Sequence, residues 1–285
     1  MAQEIKEFEG YFKGENDLSL FYRIDEIVAK DNKAAIVVVH GLGEHSGRYH
    51  HLRNALLPQG YAIYGYDQRG HGKSAGIRGH VDTFDDLILD LKKFIDLVKE
   101  KTAGKKLFLL GHSMGGLVAA TYAIRFPQGL TGVILSAPAL KFALDVPKIK
   151  EAAGRLMSHI FPALTLENEI DPNLISHDHI EVERYKNDPL VHSKISTRFY
   201  VEFTRSMAWA LDNAYRLELP SLMMNGTGDK IISYLGCEEF YKKILIEDKK
   251  LKLFPGLYHE MFNEVEKDRT EVLGEVSAWL KPRIA

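Results

Sequence analysis

The chain has 285 residues with 37 Lys and Arg against 39 Asp and Glu, a formal net charge of −2, and 45% hydrophobic and 27% charged residues. That length supports a large buried core and equals about two average domains, or one α/β domain carrying an insertion. Balanced charge leaves no basic surface for a nucleic-acid backbone, and the ordinary apolar fraction excludes a disordered or collagen-like chain.

The single cysteine, Cys237, forbids an intramolecular disulfide and any Cys-based zinc or iron–sulfur cage. Met1-Ala2-Gln3-Glu4-Ile5-Lys6-Glu7 mixes charges where a secretory leader has a continuous apolar run, so the chain reads as unexported and cytoplasmic. Eighteen residues between Lys106 and Arg125 carry no Asp, Glu, Lys or Arg, enough to consider a membrane span. Gly111, His112, Ser113, Gly115 and Gly116 interrupt them, which predicts a buried strand, turn and helix instead.

Taken in chain order, residues 6–12 and 18–24 are strand-like on either side of the turn residues Gly14, Asn16 and Asp17, and predict an antiparallel pair at a sheet edge. A continuous apolar run, 34–39, precedes a helix over 49–57 and a second run at 61–66. Phe84, Leu87, Ile88, Leu91, Phe94, Ile95 and Val98 then recur at three-four spacing, with Thr83 and Asp86 placed as an N-terminal cap. Strands at 107–110 and 132–135 flank a helix over 113–126. Runs at 221–224 and 251–254 precede a last helix over 265–280.

Strand and helix alternate, and the strands are apolar throughout, so both their faces are buried. The prediction is an α/β fold with a mostly parallel, doubly wound sheet and right-handed crossovers. Residues 140–219 break the rhythm with two amphipathic stretches, Ile149/Ala153/Leu156/Met157/Ile160 and Phe199/Phe203/Met207/Ala210/Leu211, and no core strand. They are expected to form a helical cap over the carboxyl edge of a core made of 1–139 and 220–285, where such folds place their sites.

Gly111-His112-Ser113-Met114-Gly115 matches G-x-S-x-G between a strand and a small-residue helix, the context in which a serine is forced into a sharp, exposed turn. A serine hydroxyl needs a base, and the base needs an orienting acid. Asp229 follows the strand at 221–224 and is the expected acid; Asp188 and Asp178 compete for the role but fall in the cap. His259, after the last strand, is the expected base. An acyl-transfer site also needs oxyanion donors, expected from the N–H groups of Met114 and of Leu42 in the glycine-rich turn after 34–39.

Other chemistries fit less well. Gly41-Leu42-Gly43-Glu44-His45-Ser46 with Asp67 imitates a dinucleotide fingerprint, but Ser46 replaces the third glycine and Glu44 would face a pyrophosphate. Gly72-Lys73-Ser74 has Asp67 where a phosphate loop requires glycine. His177-Asp178-His179 and His50-His51 lack metal-binding spacing and a third ligand, so neither metal nor cofactor is expected.

His40-Gly41-Leu42-Gly43-Glu44-His45-Ser46-Gly47-Arg48-Tyr49, Tyr66-Asp67-Gln68-Arg69-Gly70-His71-Gly72-Lys73-Ser74, Gly111-His112-Ser113-Met114-Gly115-Gly116 and Gly256-Leu257-Tyr258-His259-Glu260 resemble the monoacylglycerol lipases and related lysophospholipases of the α/β-hydrolase fold. The likeness includes Tyr185-Lys186-Asn187-Asp188-Pro189-Leu190 in the cap and so spans nearly the whole chain. It implies a triad of Ser113, Asp229 and His259, oxyanion donors Leu42 and Met114, and a polar end of the pocket shaped by Glu44, Arg48, His112 and Tyr185. Leu42 is bulkier than the small residue common in the family, and Ile231 and Ile232 stand where mammalian members carry a thiol. The implied substrate is a monoacylglycerol, with a lysophospholipid or a general carboxylic ester as alternatives. The cap's first amphipathic stretch, with nearby charges of both signs, separately leads to the expectation of weak peripheral membrane contact through the cap. Readings of a different class are a non-catalytic binding protein on the same fold and a dinucleotide-binding oxidoreductase.

Overall fold

Charged and apolar residues alternate at the start of the chain and build a hairpin, β1 (Ile5–Lys13) antiparallel to β2 (Ser19–Ile27), with Ile5 opposite Ile27 and Lys13 opposite Ser19. Asn16 and Asp17 make its turn at φ 57°, the left-handed region their short polar side chains tolerate. β1 is the sheet's outer strand, and Lys6, Glu7, Glu9 and Lys13 mark it with charges that discourage pairing with another chain. This computed structural model describes residues 4–28, 32–144 and 148–284, save the side chains of residues 148–151 and 153. Met1-Ala2-Gln3 of the opening segment and the side chains of Ile149 and Ala153 in the first amphipathic stretch therefore lie outside the described residues.

The core strands are β3 (Ala34–Val39), β4 (Tyr61–Tyr66), β5 (Lys106–His112) and β6 (Gly132–Ser136). A short separate ribbon, β7 (Thr165–Glu167) with β8 (Lys194–Ser196), precedes β9 (Ser221–Gly226) and β10 (Lys249–Phe254). The eight-stranded sheet has the order β1-β2-β4-β3-β5-β6-β9-β10; β2 runs antiparallel to β4, and every pair from β4 to β10 is parallel. The expected antiparallel edge and parallel centre are thus both present.

Eight α-helices complete the described chain: α1 (His50–Leu56), α2 (Phe84–Thr102), α3 (Met114–Arg125), α4 (Lys148–Ile160), α5 (His179–Asn187), α6 (Thr197–Asn213), α7 (Tyr234–Lys243) and α8 (Glu266–Leu280). Continuous apolarity in the strands has its reason in two cores. Ala34, Ile36 and Val38 pack with Leu52 and Leu56 of α1 and Val272, Val276 and Trp279 of α8; Ala35, Val37 and Val39 face α2, α3, α6 and α7. At the start of α2 the Asp86 carboxylate accepts the Thr83 N–H at 3.2 Å, the cap read from the sequence.

Between β6 and its neighbour β9 the chain leaves the sheet for α4, the β7–β8 ribbon, α5 and α6. α6 buries Phe199, Phe203, Met207 and Ala210 in the core under α2 and α3, and the Ser196 hydroxyl caps it by accepting the Phe199 N–H at 3.1 Å. The ribbon and α5 were not expected: three-residue strands and a nine-residue, largely polar helix carry almost no periodic signal.

Asp67, just past β4, ties two loops together. Its Oδ1 accepts the Ser46 N–H at 2.9 Å and the Ser46 hydroxyl at 2.6 Å, and its Oδ2 accepts the Lys73 N–H at 2.8 Å. Asp67→Ala would strand two buried donors and one part-buried donor and is expected to destabilise the fold by about 3 kcal/mol, with Asp67→Asn losing less because Oδ1 survives. Urea unfolding midpoints at unchanged slope measure the difference.

Candidate active site

The sheet order reverses at β3, which has β4 on one side and β5 on the other, so the loops leaving β3 and β5 open next to each other above the carboxyl edge. Ser113 sits at the end of β5 with φ 53° and ψ −121°, a conformation that costs on the order of 1–3 kcal/mol in a non-glycine residue. Glycine makes the turn fit: a Cβ on Gly115 would collide with the carbonyl oxygens of Val39 and His40. Close approach of α3 to the end of β3 follows. Ser113 was expected to stand exposed, yet only 9% of it is, because Gly41 and His259 close over it.

Asp229 follows β9 and His259 follows β10, and His259 joins Asp229 to Ser113. With the His259 Nδ1 proton donated to Asp229 Oδ2 at 2.7 Å, Nε2 accepts the Ser113 hydroxyl at 2.9 Å. Asp229 Oδ1 also accepts the N–H groups of Ile231 and Ile232 at 2.8 and 2.9 Å. Burial alone would raise the Asp229 carboxyl pKa, but His259 and these two amides hold it below the usual range. For His259, burial would lower the pKa, and the Asp229 carboxylate overcomes that and raises it. The competing carboxylates go elsewhere: Asp188 pairs with His45 at 2.9 Å, and Asp178 caps α5 and pairs with Arg269.

The loop after β3 is pinned on three sides. His40 donates from Nδ1 to the Gly41 carbonyl and accepts the Gln68 N–H at Nε2, the Gln68 amide donates to the His40 carbonyl at 2.6 Å, and Gly43 O accepts the His192 N–H. Glu44 Oε1 accepts the Gly41 N–H at 2.6 Å. Among the described residues no protein group accepts the N–H of Leu42 or of Met114, the two donors expected to face an oxyanion.

Around this loop lies a buried charge network that contains all but one of the expected polar-end residues. Arg48 binds Glu260 through two N–H groups at 2.6 and 2.8 Å, reaches Glu44 at 3.2 Å and lies 4.6 Å from the Tyr185 ring centre. Tyr49 donates to Glu44, and Asn263 to Glu260. Burial would raise the Glu260 carboxyl pKa, and Arg48 holds it low instead. The remaining expected residue, His112, lies with its ring centre 4.8 Å from that of His259, donates from Nδ1 to the Ser136 carbonyl, and is pushed down to about 4 by burial and then by His259. Glu260 carried no expected role, although a charge adjoining His259 in an otherwise apolar stretch was the available signal.

The other motifs have structural uses. Asp67 is saturated by backbone and serine donors, Ser74 donates to the Asp67 carbonyl, and the Lys73 ammonium pairs with Glu9. His177 is held by Glu264, which also accepts the Tyr258 N–H and so steadies the His259 loop. Cys237, on α7, is fully buried and its thiol is pushed up to about 12, which leaves it unreactive.

A family model described as serine aminopeptidase, S33, matches residues 30–266. The chain belongs to that hydrolase family. It is 32% identical over 254 residues to the monoacylglycerol lipase of Mycolicibacterium smegmatis, covering 88% of this chain and 89% of the relative. It is 35% identical over 88% of its length to an uncharacterized abhydrolase domain-containing protein of Dictyostelium discoideum, of which it spans only 26%. The crystal structure of the Paleococcus ferrophilus monoacylglycerol lipase superposes with a TM-score of 0.81 at 34% identity, covering 98% of this chain and 99% of that one. The architecture is the α/β-hydrolase fold.

The opposed shifts of the buried pair give a measurable signature. Imidazole NMR should show His259 titrating above the ordinary 6.5, and Asp229→Asn should move it below that value because burial then acts unopposed. His112 should stay neutral well below the range of an ordinary histidine.

Proposed function

We propose that the chain is a serine carboxylic ester hydrolase acting on monoacylglycerols, with Ser113 as nucleophile, His259 as general base and acid, and Asp229 as the group that orients it. The observation that carries this is the Ser113–His259–Asp229 relay at a strained strand-to-helix turn beside two N–H groups with no protein acceptor among the described residues. Ser113 Oγ attacks the ester carbonyl carbon while its proton passes to His259 Nε2, and the N–H groups of Leu42 and Met114 bind the oxyanion. Collapse breaks the bond to glycerol oxygen, which takes the proton from His259. Water, deprotonated by His259, then releases the fatty acid and restores Ser113.

The family model's aminopeptidase description implies a carboxylate ready for a substrate ammonium. Glu44 and Glu260 are the carboxylates at hand, and Arg48, Tyr49, Asn263 and the Gly41 amide already occupy them. Arg48 already donates three hydrogen bonds to Glu44 and Glu260, and one cation between two carboxylates gives the network a net negative charge, which disfavours a lysophospholipid's phosphate. A neutral glycerol fits: His112, with Nδ1 engaged, presents Nε2 as an acceptor for a hydroxyl, and Glu44, Arg48 and Tyr185 wall the polar end. The relatives named as monoacylglycerol lipases support the same choice.

Ser113→Ala should abolish ester hydrolysis with the fold intact. Asp229→Asn should lose on the order of 10⁴ in turnover through the wrong imidazole tautomer, and Asp188→Asn far less. The opposite ranking of the two aspartates, measured on one short ester, would move the acid into the insertion.

Residues 140–219 would act as the cap, with core segments 1–139 and 220–285 beneath. No helix among the described residues is long and apolar enough to cross a membrane. Leu156 and Ile160 on α4 are 61% and 56% exposed, and Phe161, Leu164 and Leu166 beyond it are exposed too. This apolar ridge would rest in a membrane interface and collect a substrate held there, weakly, since Arg155 has Glu167 and Glu169 close in sequence. Replacing Leu156 and Ile160 with Ser should lower hydrolysis of long-chain monoacylglycerol in vesicles and spare a short soluble ester. Equal losses on both would mean that these side chains hold the fold together.

A further inference from the structure

His50 and His51 open α1 and have no third ligand in the nearby sequence, but folding brings Glu181 of α5 to them from 130 residues away. Glu181 Oε1 lies 3.2 Å from His51 Nε2 and 3.5 Å from His50 Nε2, and one ligand atom from each of the three residues falls within 4.8 Å of the others. Ligands at about 2.0–2.1 Å around a tetrahedral ion stand roughly 3.3 Å apart, so the two measured separations already match a coordination edge. Among the described residues this is the only such group of three.

We propose that His50, His51 and Glu181 bind one borderline-soft divalent cation, Zn²⁺ or a first-row neighbour, and thereby clamp α5 to α1. Two imidazoles and a carboxylate are a recurrent zinc donor set, and a donor set with two ring nitrogens selects against Mg²⁺ and Ca²⁺, which require oxygen. Glu181 is buried and turns its carboxylate toward both imidazoles.

Arg184 is the competitor. Its guanidinium donates to Glu181 Oε1 and comes within 3.4 Å of His50 Nε2, so a cation must displace it. Its side chain is 58% exposed and can swing into solvent. The clamp would act at a distance from Ser113, through α5, whose Tyr185 covers the Arg48 guanidinium.

The test uses the full chain freed of metal by chelator, titrated with Zn²⁺ by calorimetry and with Co²⁺ by visible absorption. One ion per chain should bind and raise the melting temperature, with no binding of Mg²⁺. The double variant His50→Gln, His51→Gln, altered only at part-exposed positions of a helix start, should bind about 100-fold more weakly or worse. Arg184→Ala should bind several-fold more tightly, a gain that an ordinary ion pair would not give. Parent-like binding in the double variant would place the ion at other histidines and overturn the proposal, as would unchanged affinity in Arg184→Ala or no binding by the parent chain.

Discussion

The backbone of Ser113 is the constraint around which the rest is arranged. A left-handed φ with extended ψ is a poor state for serine, and it persists only where the surroundings leave no alternative. Here β3, β5 and β6 are buried on both faces, α3 starts one residue later, and the Ser113 N–H and carbonyl are fixed by Ser136 and by Leu117 and Ala139. The strain holds the hydroxyl above the sheet edge, where His259 and the loop after β3 can reach it. Relaxing the turn would swing Oγ away from Nε2.

The second layer is electrostatic. Arg48 lies four residues beyond Glu44 on the loop side, and Glu260 lies next to His259, so their bidentate pair couples the loop that carries Leu42 to the loop that carries the imidazole. A buried ion pair of this kind adds little net stability, because desolvation offsets attraction, but removing either member leaves an uncompensated charge. Its value is in fixing the register of two loops that no strand pairing connects. Glu264 acts likewise between the His259 loop and His177 of the insertion.

The parts of this architecture that were legible in the sequence are those written in local signal. The parallel strands announce themselves by unbroken apolarity, α2 by its three-four spacing and cap, and the elbow by glycines that leave room on both sides of Ser113. The proposed acid and base, Asp229 and His259, were legible through their positions after strands, since the fold's chain order limits where a carboxylate and an imidazole can rise toward Ser113. The Arg48–Glu260 pair was not, because 212 residues separate its members and neither periodicity nor spacing encodes a partner. Glu181 escaped for the same reason. Its three-way meeting with His50 and His51 exists only once α5 lies against α1, and α5 itself was too short and polar to be seen.

The two amphipathic stretches of the insertion show where pattern stops being informative. Both have an apolar face at helical spacing, and the sequence treats them alike. In α6 that face meets the core: Phe199, Phe203 and Met207 are buried against the helices under the sheet. In α4, Leu156 and Ile160 remain open to solvent although Ser158, between them on the opposite side, is buried. Periodicity states that a helix has two unlike faces; it does not state which one the protein covers. An apolar face turned outward costs hydration free energy at about 25 cal/mol per Å² for as long as the chain stays in water. On the proposed membrane role, entry of the α4 ridge into an apolar phase would recover that cost, and α4 joins the same insertion whose Tyr185 and His192 reach the loop beside Ser113, which sets the ridge and Ser113 on one continuous piece of structure.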